Sequence, residues 1–279
     1  MLLGGQSLLQ DLSSKLKIKL PDSVPPMVSS SFESLIPVII TLVLVCSINY
    51  CFTLTSFGNI HALVNEIIQK PLLLIGTGLP ALLISQGLAQ LLWFFGLHGD
   101  QIVGSVMDPI LQTAGMENLS AYTAGDAVPY IITDQFRALF VMIAFMSLVI
   151  AILIVSKSNR LKGVGKVAVL PATFCISEPV VFGAPVVMNA MLFIPWVLSR
   201  PVFGLITWLF MKFGLCPYPT GVAIPWTTPP VLSGFLATNS IMGAVVQIIC
   251  LAIGVLMFIP FVKMIDKTYH QEEIKTKEQ

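Results

Sequence analysis

The stretch VAVLPATFCISEPVVFGAPVVMNAMLFIPWVLS, Val167 to Ser199, decides how the chain is read. Its only charged side chain is Glu178, so by polarity it belongs in a bilayer. Pro171, Pro179, Gly183, Pro185 and Pro195 interrupt it too often for one straight helix. Backbone that breaks at membrane depth survives only where protein buries it or where it lines a wet cavity. The stretch therefore predicts a re-entrant hairpin leading into a helix. The predicted class is an all-α integral membrane protein, a polytopic helical bundle with re-entrant hairpins and cavity-lining loops.

The rest of the chain agrees. Of its 279 residues 56% are hydrophobic and only 10% charged, with a mean hydropathy of +0.88. Soluble domains carry about 25% charged residues because their surfaces face water. Apolar runs predict spans at Leu35 to Phe52, Leu72 to Leu97, Ala138 to Ser156 and Ile241 to Val262, the second bent in its first half by Gly76, Gly78 and Pro80. LCPYPTGVAIPWTTPPVLSG, starting at Leu215, is too rich in proline and glycine to span and reads as a second cavity-lining loop. The N-terminus, with Lys15, Lys17 and Lys19, lacks the layout of a signal peptide; it predicts a surface-lying amphipathic segment, ended by Pro21, Pro25 and Pro26. Beyond Lys263 the polar tail reads as disordered.

Charge separates the connections. Asp100, Asp108, Glu117, Asp126 and Asp134 fall in a long loop without Lys or Arg, whereas SKSNRLKGVGK carries Lys157, Arg160, Lys162 and Lys166. An excess of Lys and Arg marks cytoplasmic loops, so the basic segment and the tail are placed in the cytoplasm. Parity then requires residues 183 to 214 to make one broken crossing. A net charge of +1 gives no electrostatic footprint for nucleic acid. The five cysteines form no CxxC pair, and His61 and His270 stand apart from one another, so neither a metal site nor a disulfide framework is expected; there is no phosphate-cradling GxxxxGK[ST] loop and no cofactor is implied.

Three residues carry candidate chemistry. Glu178 is an ionisable group in a proline-rich break of an uncharged run, suited to binding a ligand or handling a proton; its structural alternative is to cap the adjacent broken helix. His98 ends an apolar run between Gly96 and Gly99, where a structural role competes evenly with a functional one. Trp226, with Thr227 and Thr228, offers a flat apolar face beside hydroxyls, which suits a sugar ring; an interfacial aromatic is the alternative. Gln86, Gln90, Asn189 and Asn239 either join helices or line the pathway.

VPPMVSSSFESLIP, LLWFFGLHGDQIVGSVMDPI, ISEPVVFGAPVVMNAMLFIP and IPWTTPPVLSGFLATN occur in an order that resembles enzyme IIC, the membrane component of bacterial sugar phosphotransferase systems, in its lactose/cellobiose/diacetylchitobiose branch. The resemblance runs from about Leu20 to Ile265. It implies a multi-pass bacterial plasma-membrane protein that binds a β-linked disaccharide and presents its 6-hydroxyl to a phosphorylated enzyme IIB, without being a catalyst alone. It implies that Glu178 and His98 reach the hydroxyl and that Trp226 packs on the sugar, with Ser177, Asn189, Thr227, Thr228 and Gln90 completing the site. The implied domains are residues 1–70 as a remnant of an N-terminal dimerisation domain, 71–265 as the substrate-binding transport domain, and 266–279 as a polar cytoplasmic tail. A homodimer or association with a full-length permease would follow. The alternatives are a truncated, non-transporting paralogue, half of a split permease, or a facilitator or proton-coupled symporter. Cys175, the run Met142 to Phe145, and Ala190 after Asn189 depart from the family pattern, removing one sugar hydrogen bond and placing side chains where family backbone approaches the sugar.

Overall fold

The computed structural model describes residues 26–55, 58, 78–184 and 186–277. The chain forms two compact units, Met1–Ile68 and Gln69–Gln279. In the first, helix α1, Pro26–Thr53, contains the expected span. Pro26 opens this helix, where the proline's missing N–H is no loss in a first turn. The N-terminal amphipathic segment, His61 and Gly76 lie outside the described residues.

The second unit is built from α2 (Leu79–Phe94), α3 (Gly99–Ala124), α4 (Phe136–Val155), α5 (Asn159–Thr173), α6 (Glu178–Gly183), α7 (Ala190–Lys212), α8 (Leu232–Thr238) and α9 (Ile241–Lys277). All described regular structure is helical. Among the described residues, three helices are long and apolar enough to cross a membrane: α4, α7 and α9, the last over Ile241–Lys275. They pack together, α7 against α9 and α9 against α4, with α2 laid along α7. Phe203, Phe136, Phe140 and Val246 fill one end of the shared core, and Trp196, Leu148, Val181 and Phe258 the other.

Several expectations need correction. The described part of the second span is α2, of 16 residues, and residues 72–77 of that span lie outside the described residues. The acidic connection is mostly helix α3: His98 caps its start, Gly125 ends it with φ +79°, and Val103, Met107, Leu111, Gly115 and Asn118 fall on one buried stripe. The basic connection is helix α5, capped by the Ser158 hydroxyl and burying Leu161, Gly165, Ala168 and Ala172. Its charges stay on the opposite face. The tail after Lys263 is not disordered, since α9 runs on to Lys277. The cause is a set of polar contacts that end-on views of charge do not reveal. Asp266 accepts from the Lys157 and Ser158 N–H groups at 2.7 and 2.9 Å and from the Ser158 hydroxyl at 2.7 Å. Glu273 accepts from the Asn159 and Arg160 N–H groups, and the Arg160 guanidinium lies 4.1 Å from the Tyr269 ring centroid. The tail thus holds the orphan donors at the start of α5, which places the basic segment and the tail at the same end of the unit. In place of the expected broken crossing, α7 is a single helix, so two helices long and apolar enough to cross, α7 and α9, lie between the basic segment and the end of the tail.

α4 is irregular where it begins. Wide π-type turns over Phe136–Val141 and a tight turn over Met142–Ala144 precede its regular part. The Leu139 carbonyl accepts instead from Gln247 Nε2 on α9, at 2.7 Å. The same glutamine accepts from the N–H groups of Val231 and Gly234 and donates to the Ser233 hydroxyl at 2.9 Å, so one buried side chain ties the proline-rich loop to two spans.

Small residues set how closely α8 lies on α9. A Cβ at Gly243 would fall 2.1 Å from the Gly234 carbonyl oxygen and 2.3 Å from Thr238 Oγ1. Gly243→Val should therefore destabilise the unit by about 1–3 kcal/mol, the range for overpacked cores. Thermal unfolding of the purified protein in detergent measures this, and an unchanged midpoint would show that the contact is looser than described.

Candidate functional site

His98 stands where α2 passes into α3. Its Nδ1 accepts from the Gln101 N–H at 3.4 Å, so the proton of the neutral ring sits on Nε2. Trp93, at the end of α2, lies against the imidazole with ring centroids 4.4 Å apart. Gly99 is required beside it: a Cβ there would be 1.9 Å from the Ala89 carbonyl oxygen. Nε2 stands 4.0 Å from Oε1 of Glu178, and both side chains are about half exposed, 46% and 48%.

Glu178 begins α6 after the turn Phe174–Ser177. Its N-cap residue, Ser177, makes no side-chain capping bond, and Glu178 is the acidic residue of the first turn. The turn is fixed by the Ile176 N–H on the Pro171 carbonyl at 3.0 Å. It also touches the proline-rich loop, because Cys175 Sγ donates to the Thr228 carbonyl at 3.6 Å. Cys175 has φ +63°, a left-handed conformation that costs most L-residues about 1 kcal/mol and that asparagine tolerates well. Cys175→Asn is expected to raise the thermal midpoint by roughly 2–4 °C; a lower midpoint would mean that the thiol's contact with Thr228 outweighs the backbone strain.

A small cavity of about 70 Å³ is lined by Asp100, Ala138, Met142, Ile143, Phe145, Cys175, Ser177, Arg200 and Trp226, but not by His98 or Glu178. Three of the four residues of the departing run Met142 to Phe145 thus fill its wall. Trp226 lines the cavity while more than half exposed, and Thr227 and Thr228 follow it half-buried in the turn closed by the Thr228 N–H on the Pro225 carbonyl. A larger cavity of about 740 Å³, bounded by Pro109, Tyr130, Trp208, Lys212 and Tyr218 among others, contains none of the residues expected from sequence.

The structure therefore brings together Glu178 and His98, and, around one cavity, Ser177 and Trp226, with Thr228 in contact through Cys175. Two expected residues have other contacts. The Asn189 Oδ1 caps α7 by accepting from the Met191 N–H at 3.1 Å. Gln90 is fully buried between α2 and α7, where its amide donates to the Trp196 carbonyl and the Ser199 hydroxyl at 3.0 and 3.2 Å. Asn239 ends α8 with φ +47° and donates to the Tyr122 hydroxyl. Among the described residues no group of His, Cys, Asp and Glu is placed to hold a metal ion.

Sequence reasoning missed the ion pair that closes the cavity floor. Arg200 pairs with Asp100 through both Nη atoms, and Trp93 Nε1 donates to Asp100 Oδ2 at 2.9 Å. The available signal was that Arg200 ends the uncharged run, and a buried arginine needs a carboxylate. A second pair, Arg137 with Asp108, sits at the start of α4. Next to it and outside the spans, burial pushes the Asp134 carboxyl above its ordinary range.

A model of the family described as "Phosphotransferase system, EIIC" matches residues 8–199. The chain is a member of that family. EIIC proteins similar to it include the oligo-beta-mannoside-specific EIIC component of Bacillus subtilis, 44% identical over 270 residues, 95% of this chain and 61% of the relative. The cellobiose-specific EIIC component of Geobacillus stearothermophilus is 38% identical, across 94% of this chain and 60% of the relative. Among solved structures, the crystal structure of ChbC, the IIC component of the N,N'-diacetylchitobiose-specific phosphotransferase system, matches with a TM-score of 0.70 and 37% identity, covering 95% of this chain and 62% of ChbC. This EIIC chain thus spans about three fifths of the length of the relatives it matches.

Proposed function

We propose that the chain is the sugar-binding and translocating part of an EIIC permease in the bacterial plasma membrane. It presents the 6-hydroxyl of a β-linked disaccharide, of the cellobiose, diacetylchitobiose or lactose type, to a phosphorylated enzyme IIB. The observation that carries this is the gap of 4.0 Å between His98 Nε2 and Glu178 Oε1. It is too wide for a direct hydrogen bond and wide enough for one hydroxyl oxygen at about 2.8 Å from each. Such a hydroxyl would donate to the carboxylate and accept from the imidazole N–H. The carboxylate can then take the proton as the oxygen attacks phosphorus, the bond from phosphorus to the carrier side chain of enzyme IIB breaks, and that side chain leaves with the electron pair. Trp226 supplies a face for the pyranose ring, and Ser177, Thr227 and Thr228 supply hydroxyls beside it. In this reading Gln90 and Asn189 act by joining and capping helices around the site. Residues 71–265 form the transport domain, and 1–70 contribute to an N-terminal dimerisation domain. The basic start of α5 and the end of α9 face the cytoplasm, where enzyme IIB would arrive.

A second reading is favoured by the cavity of about 70 Å³, against the roughly 300–1,000 Å³ usual for a small-molecule pocket. In it the chain is a membrane-inserted subunit, a non-transporting paralogue or half of a split permease, that acts with a full-length permease. Reconstitution separates the two. Vesicles holding this chain alone, supplied with phosphorylated enzyme IIB, should yield 6-phosphorylated disaccharide; product only after adding a second EIIC polypeptide would favour the subunit reading. Sugar uptake without any phosphoryl donor would overturn both.

A further inference from the structure

We infer that Arg200, Asp100 and Trp93 form a buried clamp that holds the His98 imidazole in register with Glu178, as positioning residues for the site proposed above, on which this inference rests. Three helices meet at it. Arg200 comes from α7 with a side chain 2% exposed, and its fork grips both oxygens of Asp100, in the first turn of α3. The grip fixes the carboxylate plane. Asp100 Oδ2 also accepts from the indole N–H of Trp93, on α2, which fixes the indole. The indole in turn lies 4.4 Å from the imidazole, and the Gln101 N–H holds that ring at Nδ1. What remains free is Nε2, the atom facing Glu178.

A buried ion pair adds little net stability over an apolar pair of equal volume; its distinctive contribution is a fixed geometry. Here that geometry is transmitted through one hydrogen bond and one ring contact to a half-exposed histidine. Asp100 and Arg200 line the same cavity as Ser177 and Trp226, so the clamp borders two of the residues proposed to meet the sugar.

The test uses the full chain purified in detergent. Carbethoxylation by diethylpyrocarbonate is followed by peptide mass spectrometry, with His270 as internal reference. Trp93→Phe, which removes the indole N–H and shrinks the ring lying against the imidazole, and Arg200→Lys, which removes the fork, should each make His98 react about threefold faster while His270 is unchanged. An unchanged rate at His98, or an equal rise at His270, would overturn the clamp. A second measurement is a double-mutant cycle on partner-dependent phosphorylation. Trp93→Phe should lower kcat about 10-fold with KM within about twofold, and should add less than about twofold in a His98→Gln background. Fully multiplicative losses would mean that Trp93 does not act through His98. Modification rates are read without sugar or partner, so they decide the clamp even if the sugar site fails its own test.

Discussion

Glu178→Gln is expected to lower partner-dependent phosphorylation of the disaccharide at least about 100-fold, the lower end of what a positioned general base contributes. The amide matches the carboxylate in volume and keeps one acceptor oxygen, so the sugar hydroxyl can still be held. What it cannot do is take the proton when that hydroxyl attacks the phosphoryl group. The fold should not notice the change: the Glu178 side chain is about half exposed. The variant should therefore insert and unfold like the parent while turning over poorly, with kcat and kcat/KM falling together. Turnover near the parent's would remove Glu178 from the chemistry, and a matched loss of folded protein would assign it to stability instead.

Arg200→Met should have the largest effect on stability. It leaves the Asp100 carboxylate, 11% exposed, without its partner, and breaking one side of a buried pair costs about 3–5 kcal/mol. The double variant Arg200→Met with Asp100→Asn should recover a large part of that loss, because the uncompensated charge is gone and only a hydrogen-bonded geometry is missing. Thermal unfolding followed by circular dichroism reads both. A single variant as stable as the parent would mean that water reaches the pair, and the buried clamp would then lose its basis.

Much of the fold was legible because polarity alone reports a bilayer. The spans at α4 and α9 follow from uninterrupted apolar runs, whereas α7 is the helix expected after the break around Glu178, which itself follows from proline and glycine. Periodicity carried what charge sign hid. The acidic segment is helix α3 and the basic one is α5, each with buried residues every three or four positions beneath its charges. The tail was misread because its order depends on Asp266 and Glu273 meeting the start of α5 more than a hundred residues earlier. No local pattern encodes such a contact. The site divides in the same way. Glu178, His98 and Trp226 stand out as polar or aromatic groups in unusual local settings, whereas Asp100 and Gln247 acquire meaning only from partners on other helices. Gln90 illustrates the converse: a polar residue in an apolar run that joins α2 to α7.

The most direct measurement is equilibrium binding of radiolabelled cellobiose, diacetylchitobiose and lactose to the purified 279-residue chain in detergent, beside Trp226→Ala. Saturable binding of at least one of these sugars, weakened about 10-fold or more when the indole is removed, is the predicted result, since the apolar face lost contributes about 25 cal/mol per Å² of buried area. Absence of saturable binding by a protein that unfolds cooperatively would contradict the claim that this chain contains a working sugar site.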